Sequence, residues 1–318
     1  EPEDHVAVIE MARASGIELV PECERNPLKT TSYGTGQLIY HALQHSDVNT
    51  VVLGIGSSAT NDLGLGCLQA LGWQFLAGDK ILSAPITGAD LSHITSMQLP
   101  EKTATFLSEL IASHKTIRIA CDVDNVLLGP NGAAARYGPQ KGASPADCAA
   151  LDTAAAHIVS NVMKTAREVV EQPGMGAAGG IAAGLKLAHI PVALVPGSQL
   201  MWETLRCEEV LQTCQLVVSG EGRLDPTSLQ GKVLTQVWKA AHRNGVPCAF
   251  ICGDITPEMQ EDAPWDSVIP SAEQAQERGA QHSGRMKPWK LCGLSQIVGK
   301  DQAMQHAQRS LHLSIQSC

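Results

Sequence analysis

No run of this 318-residue sequence approaches the ~18 consecutive apolar residues of a membrane span, and no signal peptide is visible. Aromatics make up only 3% of the chain, too few for base-stacking platforms or aromatic sugar clamps to dominate recognition. Positive charge is also short. Against 32 Asp and Glu there are 23 Lys and Arg, and the net charge of −9 argues against nucleic acid or an anionic membrane as a partner. An anionic small substrate stays compatible, because a local cationic pocket can coexist with an acidic surface. C-x-x-C, G-x-S-x-G, H-R-D, D-F-G and G-x-x-x-x-G-K-[ST] are all missing. Their absence disfavours a covalent serine hydrolase, a protein kinase and a Walker-type nucleotidase. The ten cysteines are scattered through apolar segments, which reads as reduced, buried thiols of a cytoplasmic protein rather than a disulfide framework.

What is present is an α/β pattern with length for roughly two domains. Val6 to Ile9, Thr50 to Ile55 and Thr116 to Cys121 read as short strands bounded by polar and glycine punctuation. W-Q-F-L-A-G-D-K-I-L reads as a hairpin turning at Gly78. Helices are expected from near Thr35, over Asp62 to Leu71 with Asn61 or Asp62 as N-cap, and from Pro145 after a Ser144 cap. Ser198 is expected to cap another. Gln215 to Ser219, a helix capped by Thr227 or Ser228 and running to about Arg243, and P-C-A-F-I-C form a βαβ unit. Beyond Gly253 the pattern weakens: His282 to Lys290 is polar and basic, and Asp301 to Ile315 is a modestly amphipathic helix.

Four segments carry candidate chemistry. G-I-G-S-S-A (Gly54 to Ala59) fits a dinucleotide fingerprint, with Asp79 at the ~20-residue separation such sites use, yet Asp79 falls in the hairpin turn. The hydroxyls of Ser57, Ser58 and Thr60 beside backbone N–H groups can also hold an oxyanion, or merely close a capped turn. D-V-D-N places Asp122, Asp124 and Asn125 at a strand end, where two carboxylates on one side suit Mg²⁺ or a base; an Asx turn is the alternative. Arg136 and Lys141 flank G-P-Q in a glycine-rich loop, as a phosphate or carboxylate clamp or as solvated charges. S-G-E-G-R-L-D offers Glu221, Arg223 and Asp225 at a strand's carboxyl end, for a ligand or for a salt-bridged turn. His41 and His45 share a helical face but lack the glutamate of a zinc helix, and read as a surface pair.

Taken together, G-I-G-S-S-A-T-N-D, A-C-D-V-D-N, G-P-N-G-A-A-A-R-Y-G-P-Q-K-G-A, P-G-M-G-A-A-G-G and S-G-E-G-R-L-D, with T-S-Y-G-T-G upstream, closely resemble the bacterial glycerate 2-kinase family from about Val6 to Gly253. The resemblance implies transfer of the γ-phosphoryl of ATP to glycerate, giving 2-phosphoglycerate, with Mg²⁺. It implies a fold of two α/β domains, one Rossmann-like and one with a mixed sheet, with the active-site cleft between them. On this chain the mixed-sheet domain is expected over 1–210 and part of the Rossmann-like domain over 211–318. Glycerate and ATP are the implied partners, with no nucleic acid or membrane; a homo-oligomer stays open.

The matched site positions are Ser57, Ser58, Thr60, Asn61, Asp62, Asp122, Asp124, Asn125, Lys141, Glu221, Arg223 and Asp225. Asp122 and Asp124 are expected to serve Mg²⁺ or the glycerate hydroxyl, and Lys141 and Arg223 to neutralise the phosphate or hold the carboxylate. Asp122, Asp124 and Arg223 are the expected catalytic set, and the other positions bind substrate or phosphate. The family loop usually reads G-I-G-G-S-A-T-N-D-G-G, so Ser57 and Leu63 replace glycines, with strain expected if either position needs φ > 0. Family members also carry an upstream Asp-Ser-Phe-Lys loop and an Ala-Asp-Gly-Gly-Glu-Gly segment that do not occur after Glu1, implying an incomplete Rossmann-like domain. Two other readings accompany the kinase: a non-catalytic remnant of the fold that binds nucleotide or a partner, and a nicotinamide-dependent oxidoreductase using Gly54 to Ala59.

Overall fold

Short Val- and Ile-rich runs become strands, and the small-residue stretches between them let helices pack closely. The computed structural model describes residues 5–164, 167–229, 233–259 and 290–293. The chain divides into two compact units, Glu1–Gly197 and Ser198–Cys318. Seven strands lie in the first: β1 (Val6–Glu10), β2 (Thr50–Gly54), β3 (Gln74–Ala77), β4 (Lys80–Ile81), β5 (Ser96–Gln98), β6 (Thr116–Ala120) and β7 (Val192–Val195). β1, β2, β6 and β7 form a parallel sheet in that order, and β4-β3-β5 is a small antiparallel sheet. This is an α/β fold with both parallel and antiparallel sheets, the class the sequence implies.

Besides the single turns Ala12–Ser15 and Arg167–Val170, the described helices of the first unit include α1 (Tyr33–Gln44), α2 (Leu65–Ala70), α3 (Glu101–Ala112), α4 (Ala133–Tyr137), α5 (Pro145–His157) and α6 (Ile181–Leu187). Alternation along the strands sends Ile9, Val51, Leu53, Ile117 and Ile119 to one face. There they join Ile39 and Leu43 of α1, Leu65 and Leu68 of α2, and Ile181 and Leu185 of α6 in one buried core. The opposite face differs: in the row Val8–Val52–Arg118–Ala193, Val8 is 74% exposed. No described strand pairs with the outer edge of β1. The second unit holds a parallel sheet, ordered β8 (Val217–Leu224), β9 (Cys248–Ile255) and β10 (Lys290–Gly293). Its amphipathic helix α7 (Val233–Arg243) buries Leu234, Val237, Trp238 and Ala241 with Phe250 and Cys252 of β9.

Several expected boundaries move, each for a physical reason. The helix expected from Asp62 begins at Leu65, behind Gly64 in the left-handed region at φ 67°, and Asp62 is not its N-cap residue. Ser144 does cap α5, in a reciprocal capping box with Asp147. β6 ends at Ala120, so strand alternation does not carry Asp122 and Asp124 to one side. β8 runs through the glycines of S-G-E-G-R-L, making that segment strand rather than loop. Pro226–Leu229 is a separate 3₁₀ turn ahead of α7, and Ser198 lies inside the helix Gly197–Thr204 rather than before it. The hairpin at Gly78 and the β8–α7–β9 unit form as expected. The segments expected over 282–289 and 301–315 lie outside the described residues.

The distant glycine-rich motifs fit against one another. Leu63 N–H donates to the Gly179 carbonyl at 3.0 Å. A Cβ added at Gly179 would lie 2.3 Å from the Thr60 carbonyl oxygen, and one at Gly184 would lie 1.9 Å from that of Leu63. The start of α6 therefore touches the polar loop after β2 backbone to backbone. Gly184→Ala is expected to cost about 1–3 kcal/mol through overpacking, read as a lower urea midpoint at unchanged m-value.

Candidate active site

In a parallel α/β sheet, loops at the carboxyl ends of the strands are where ligands are met. Here those ends are laced together. Met11 N–H, just past β1, donates to Gly54 O at 2.8 Å, and Gly197 N–H, just past β7, donates to Asp122 Oδ1 at 2.8 Å. The loop after β2 is pinned along its length: Ile17 N–H to Ser57 O at 2.8 Å, Ala59 N–H to Ser15 O at 2.9 Å, and Thr30 Oγ1 to Ala59 O at 2.8 Å.

Asp62 organises the far end of that loop. Its carboxylate has no solvent exposure and accepts from Ser32 N–H and Ser32 Oγ at 2.7 Å each, Gly64 N–H at 3.1 Å and Gly66 N–H at 3.3 Å. Burial raises its pKa, and these donors pull it back down. Cys67 N–H donates in turn to Ser32 Oγ at 2.9 Å. Asp62 thereby joins the starts of α1 and α2, with its oxygens turned to protein donors. Ser32 is a structural partner of this loop that motif reading passed over, although it sits within the T-S-Y-G-T-G segment.

Lys141 is 3% exposed and donates to Ser58 Oγ at 2.9 Å and to Thr60 O at 2.7 Å. A lysine that reads as a clamp or a solvated charge in a glycine-rich loop is a buried cation under the hydroxyl loop. Burial lowers its pKa to about 8, partly opposed by the Asp62 carboxylate. Thr60 Oγ1 and Asn61 Nδ2 are buried without hydrogen-bond partners. Such orphans cost about 1–3 kcal/mol each, so the fold keeps polar groups here that it does not itself use.

The other expected residues are placed as follows. Ser57 is exposed, and its φ of 53° puts it in the left-handed region, as does the 55° of buried Leu63. The two side chains that replace the family's glycines thus stand where φ is positive. Asp122 and Asp124 are exposed on irregular chain after β6, and Arg136 is exposed on α4. Asn125, half-buried, donates through Nδ2 to Asn131 O at 3.1 Å and accepts the Tyr137 hydroxyl through Oδ1. Ser57, Ser58, Thr60, Asn61, Asp62, Lys141, Asp122, Asp124 and Asn125 all belong to the first unit.

Glu221, Arg223 and Asp225 belong to the second unit, on β8 and just past it. Glu221 keeps one carboxylate oxygen buried without a partner, and Asp225 N–H donates to Ser228 Oγ at 3.2 Å; the Glu258 carboxyl is held below its usual value by its own backbone N–H and the Thr256 side chain, with exposed Arg223 adding to them. No group of three or more His, Cys, Asp or Glu suited to a metal occurs among the described residues. Asp122 and Asp124 supply two oxygen donors, which fits Mg²⁺, an ion that takes one or two carboxylates and fills its shell with water and phosphate oxygens. His41 and His45 meet edge to face at 5.0 Å between ring centres, both exposed, as a surface pair. The dinucleotide reading loses its basis: Asp79 sits in the β3–β4 turn, and no helix follows Gly54–Ala59 until Leu65.

Polar loops lie at the carboxyl ends of the parallel strands, with carboxylates and a buried lysine among them, where α/β proteins place their ligand sites. The chain belongs to the glycerate kinase family, whose model matches residues 1–282. It is 42% identical over 253 residues to a glycerate kinase of Halalkalibacterium halodurans, covering 79% of this chain and 64% of that protein. With the glycerate 2-kinase of Escherichia coli it shares 40% identity over 256 residues, covering 80% and 64% respectively. It also matches a crystal structure assigned to glycerate kinase 2 of Salmonella typhimurium LT2, at TM-score 0.64 and 36% identity, over 83% of this chain and 71% of that one. The chain thus spans about 64% of the length of the first two relatives. No helix of the described residues is long and apolar enough to cross a membrane.

Two outcomes are expected. Between about pH 8 and the ordinary lysine value of 10.5, the unfolded chain binds a proton at position 141 that the folded chain does not. Stability from this group therefore rises with pH across that window, by up to about 3 kcal/mol, and is at its least below pH 8. Urea titrations at pH 7.5 and 10 should show that gain in the native chain relative to Lys141→Met. Separately, Ser57→Gly relieves a left-handed residue that costs ~1–2 kcal/mol and restores chain entropy worth ~0.5–1 kcal/mol, so a net gain of about 0.5–1 kcal/mol should appear as a higher urea midpoint.

Proposed function

We propose that the protein phosphorylates glycerate on its 2-hydroxyl, with ATP as donor and Mg²⁺ as cofactor. The observation that carries this reading is membership of the glycerate kinase family across residues 1–282, together with 40% identity to a glycerate 2-kinase. Phosphoryl transfer asks a protein for positioning and charge neutralisation more than for covalent chemistry. The residues gathered in the first unit suit that task.

Asp122 and Asp124 would hold Mg²⁺, which when bound neutralises phosphate charge and orients its oxygens. Their exposure leaves them free to meet a substrate, and Gly197 N–H orients one Asp122 oxygen. The Ser57–Asn61 loop presents hydroxyl and amide groups for the oxyanion of glycerate or phosphate. Lys141, held beneath it, sets a positive potential behind Ser58 and Thr60. Asp62 acts by holding that loop in shape. The second unit carries a candidate phosphate-binding cation of its own in Arg223, with Glu221 and Asp225 as polar groups beside it.

Phosphorus NMR of the protein at its full native length, with Mg-ATP and glycerate, should show 2-phosphoglycerate. Formation of 3-phosphoglycerate, or of no new phosphate ester, would overturn the reading. Asp122→Asn keeps an Oδ1 acceptor for Gly197 N–H, so the thermal melt should hold while turnover falls about 100-fold or more.

A further inference from the structure

Asp124 is exposed, on chain with no regular structure, yet a phosphoryl-transfer site needs its carboxylates held in place. The residue after it supplies the hold. Asn125 is bound on three sides: its Nδ2 donates to Asn131 O at 3.1 Å, its backbone carbonyl accepts Gly176 N–H at 2.9 Å, and its Oδ1 accepts the Tyr137 hydroxyl. The first two partners lie in glycine-rich loops. The third, Tyr137, is the last residue of helix α4, whose start is fixed by Ala133 N–H donating to Leu127 O at 2.9 Å. Ala133, Ala134 and Leu127 are buried in the core, so α4 is a firm base from which the hydroxyl reaches out.

We propose that Tyr137 is a positioning residue of the phosphoryl-transfer site: its hydroxyl locks the Asn125 side chain and so fixes the loop that presents Asp124. The inference rests on the proposed glycerate phosphorylation for its catalytic consequence, and on the hydrogen bonds alone for its structural one. The ring is half-buried, and the hydroxyl is the group that makes the link. Burial raises the Tyr137 pKa, with Arg136 opposing and Cys121 and Asp124 adding to it. The phenol therefore stays a protonated donor at neutral pH.

Tyr137→Phe in the full-length protein keeps the ring and deletes the donor. A hydrogen bond is worth ~0.5–1.5 kcal/mol net, and ~1.4 kcal/mol is a factor of ten. Hydrogen exchange by mass spectrometry should thus show about tenfold faster exchange in peptides covering 121–128, with 116–120 unchanged. For glycerate, kcat should fall about tenfold while KM for ATP stays constant. In an Asn125→Ala background, Tyr137→Phe should change neither quantity further. Unchanged exchange over 121–128, or additive losses in the double variant, would overturn the proposal. A native protein that makes no phosphoglycerate would instead remove the kinase reading, and the exchange result would still decide whether Tyr137 anchors this loop.

Discussion

A carboxylate with no exposure to water is the constraint around which the first unit is arranged. Burying an isolated charge costs many kcal/mol, so Asp62 is tolerable only because donors from Ser32, Gly64 and Gly66 surround it. Those donors come from the starts of two helices separated by thirty residues of chain. The need to satisfy one charge therefore sets where α1 and α2 begin and how the loop between β2 and α2 closes. Burial, with a smaller push from the same charge, holds the Cys67 thiol well above its usual value, leaving it an inert core group.

From that fixed point the chemistry of the loop follows. Ser57 and Leu63 hold positive φ against local preference, and Lys141 keeps an ammonium under the loop at a desolvation cost. Strain and buried polarity of this kind persist only where surrounding contacts over-determine them. The hydroxyl loop is consequently stiff before any ligand arrives, and binding need not order it. The second unit, with Glu221, Arg223 and Asp225 along β8, carries its own polar groups on a separate core of Leu234, Trp238 and Phe250.

The strands were legible because short Val/Ile runs bounded by glycine or polar residues leave few other options, and Ser144 before Pro145 announced α5 by a local rule. What local reading could not reach was decided over distance. Asp62 resembles an N-cap in sequence, but its partner Ser32 is thirty residues back. Gly220 and Gly222 resemble loop residues, yet they run within β8, where a Cβ on Gly220 would lie 2.2 Å from Ile251 O. Lys141 reads as a clamp or a solvated charge because nothing local shows that it is buried against Ser58 and Thr60. Motif recognition pointed to these loops; burial and hydrogen-bond partners then distinguish their members.

The flank of β1 that no described strand covers bears on how such a molecule behaves in a tube. Val6 and Val8 are 44% and 74% exposed, and no described strand satisfies the outer backbone groups beside them. An extended apolar ribbon whose outer donors and acceptors find no strand among the described residues is a template for any similar ribbon it meets. Concentration, and not only heat, is thus a stress on this fold: crowding copies together offers the strand edge partners of its own kind. Solution conditions that keep the molecules apart, such as low ionic strength at a pH preserving the net charge of −9, protect the first unit through a property unrelated to its core.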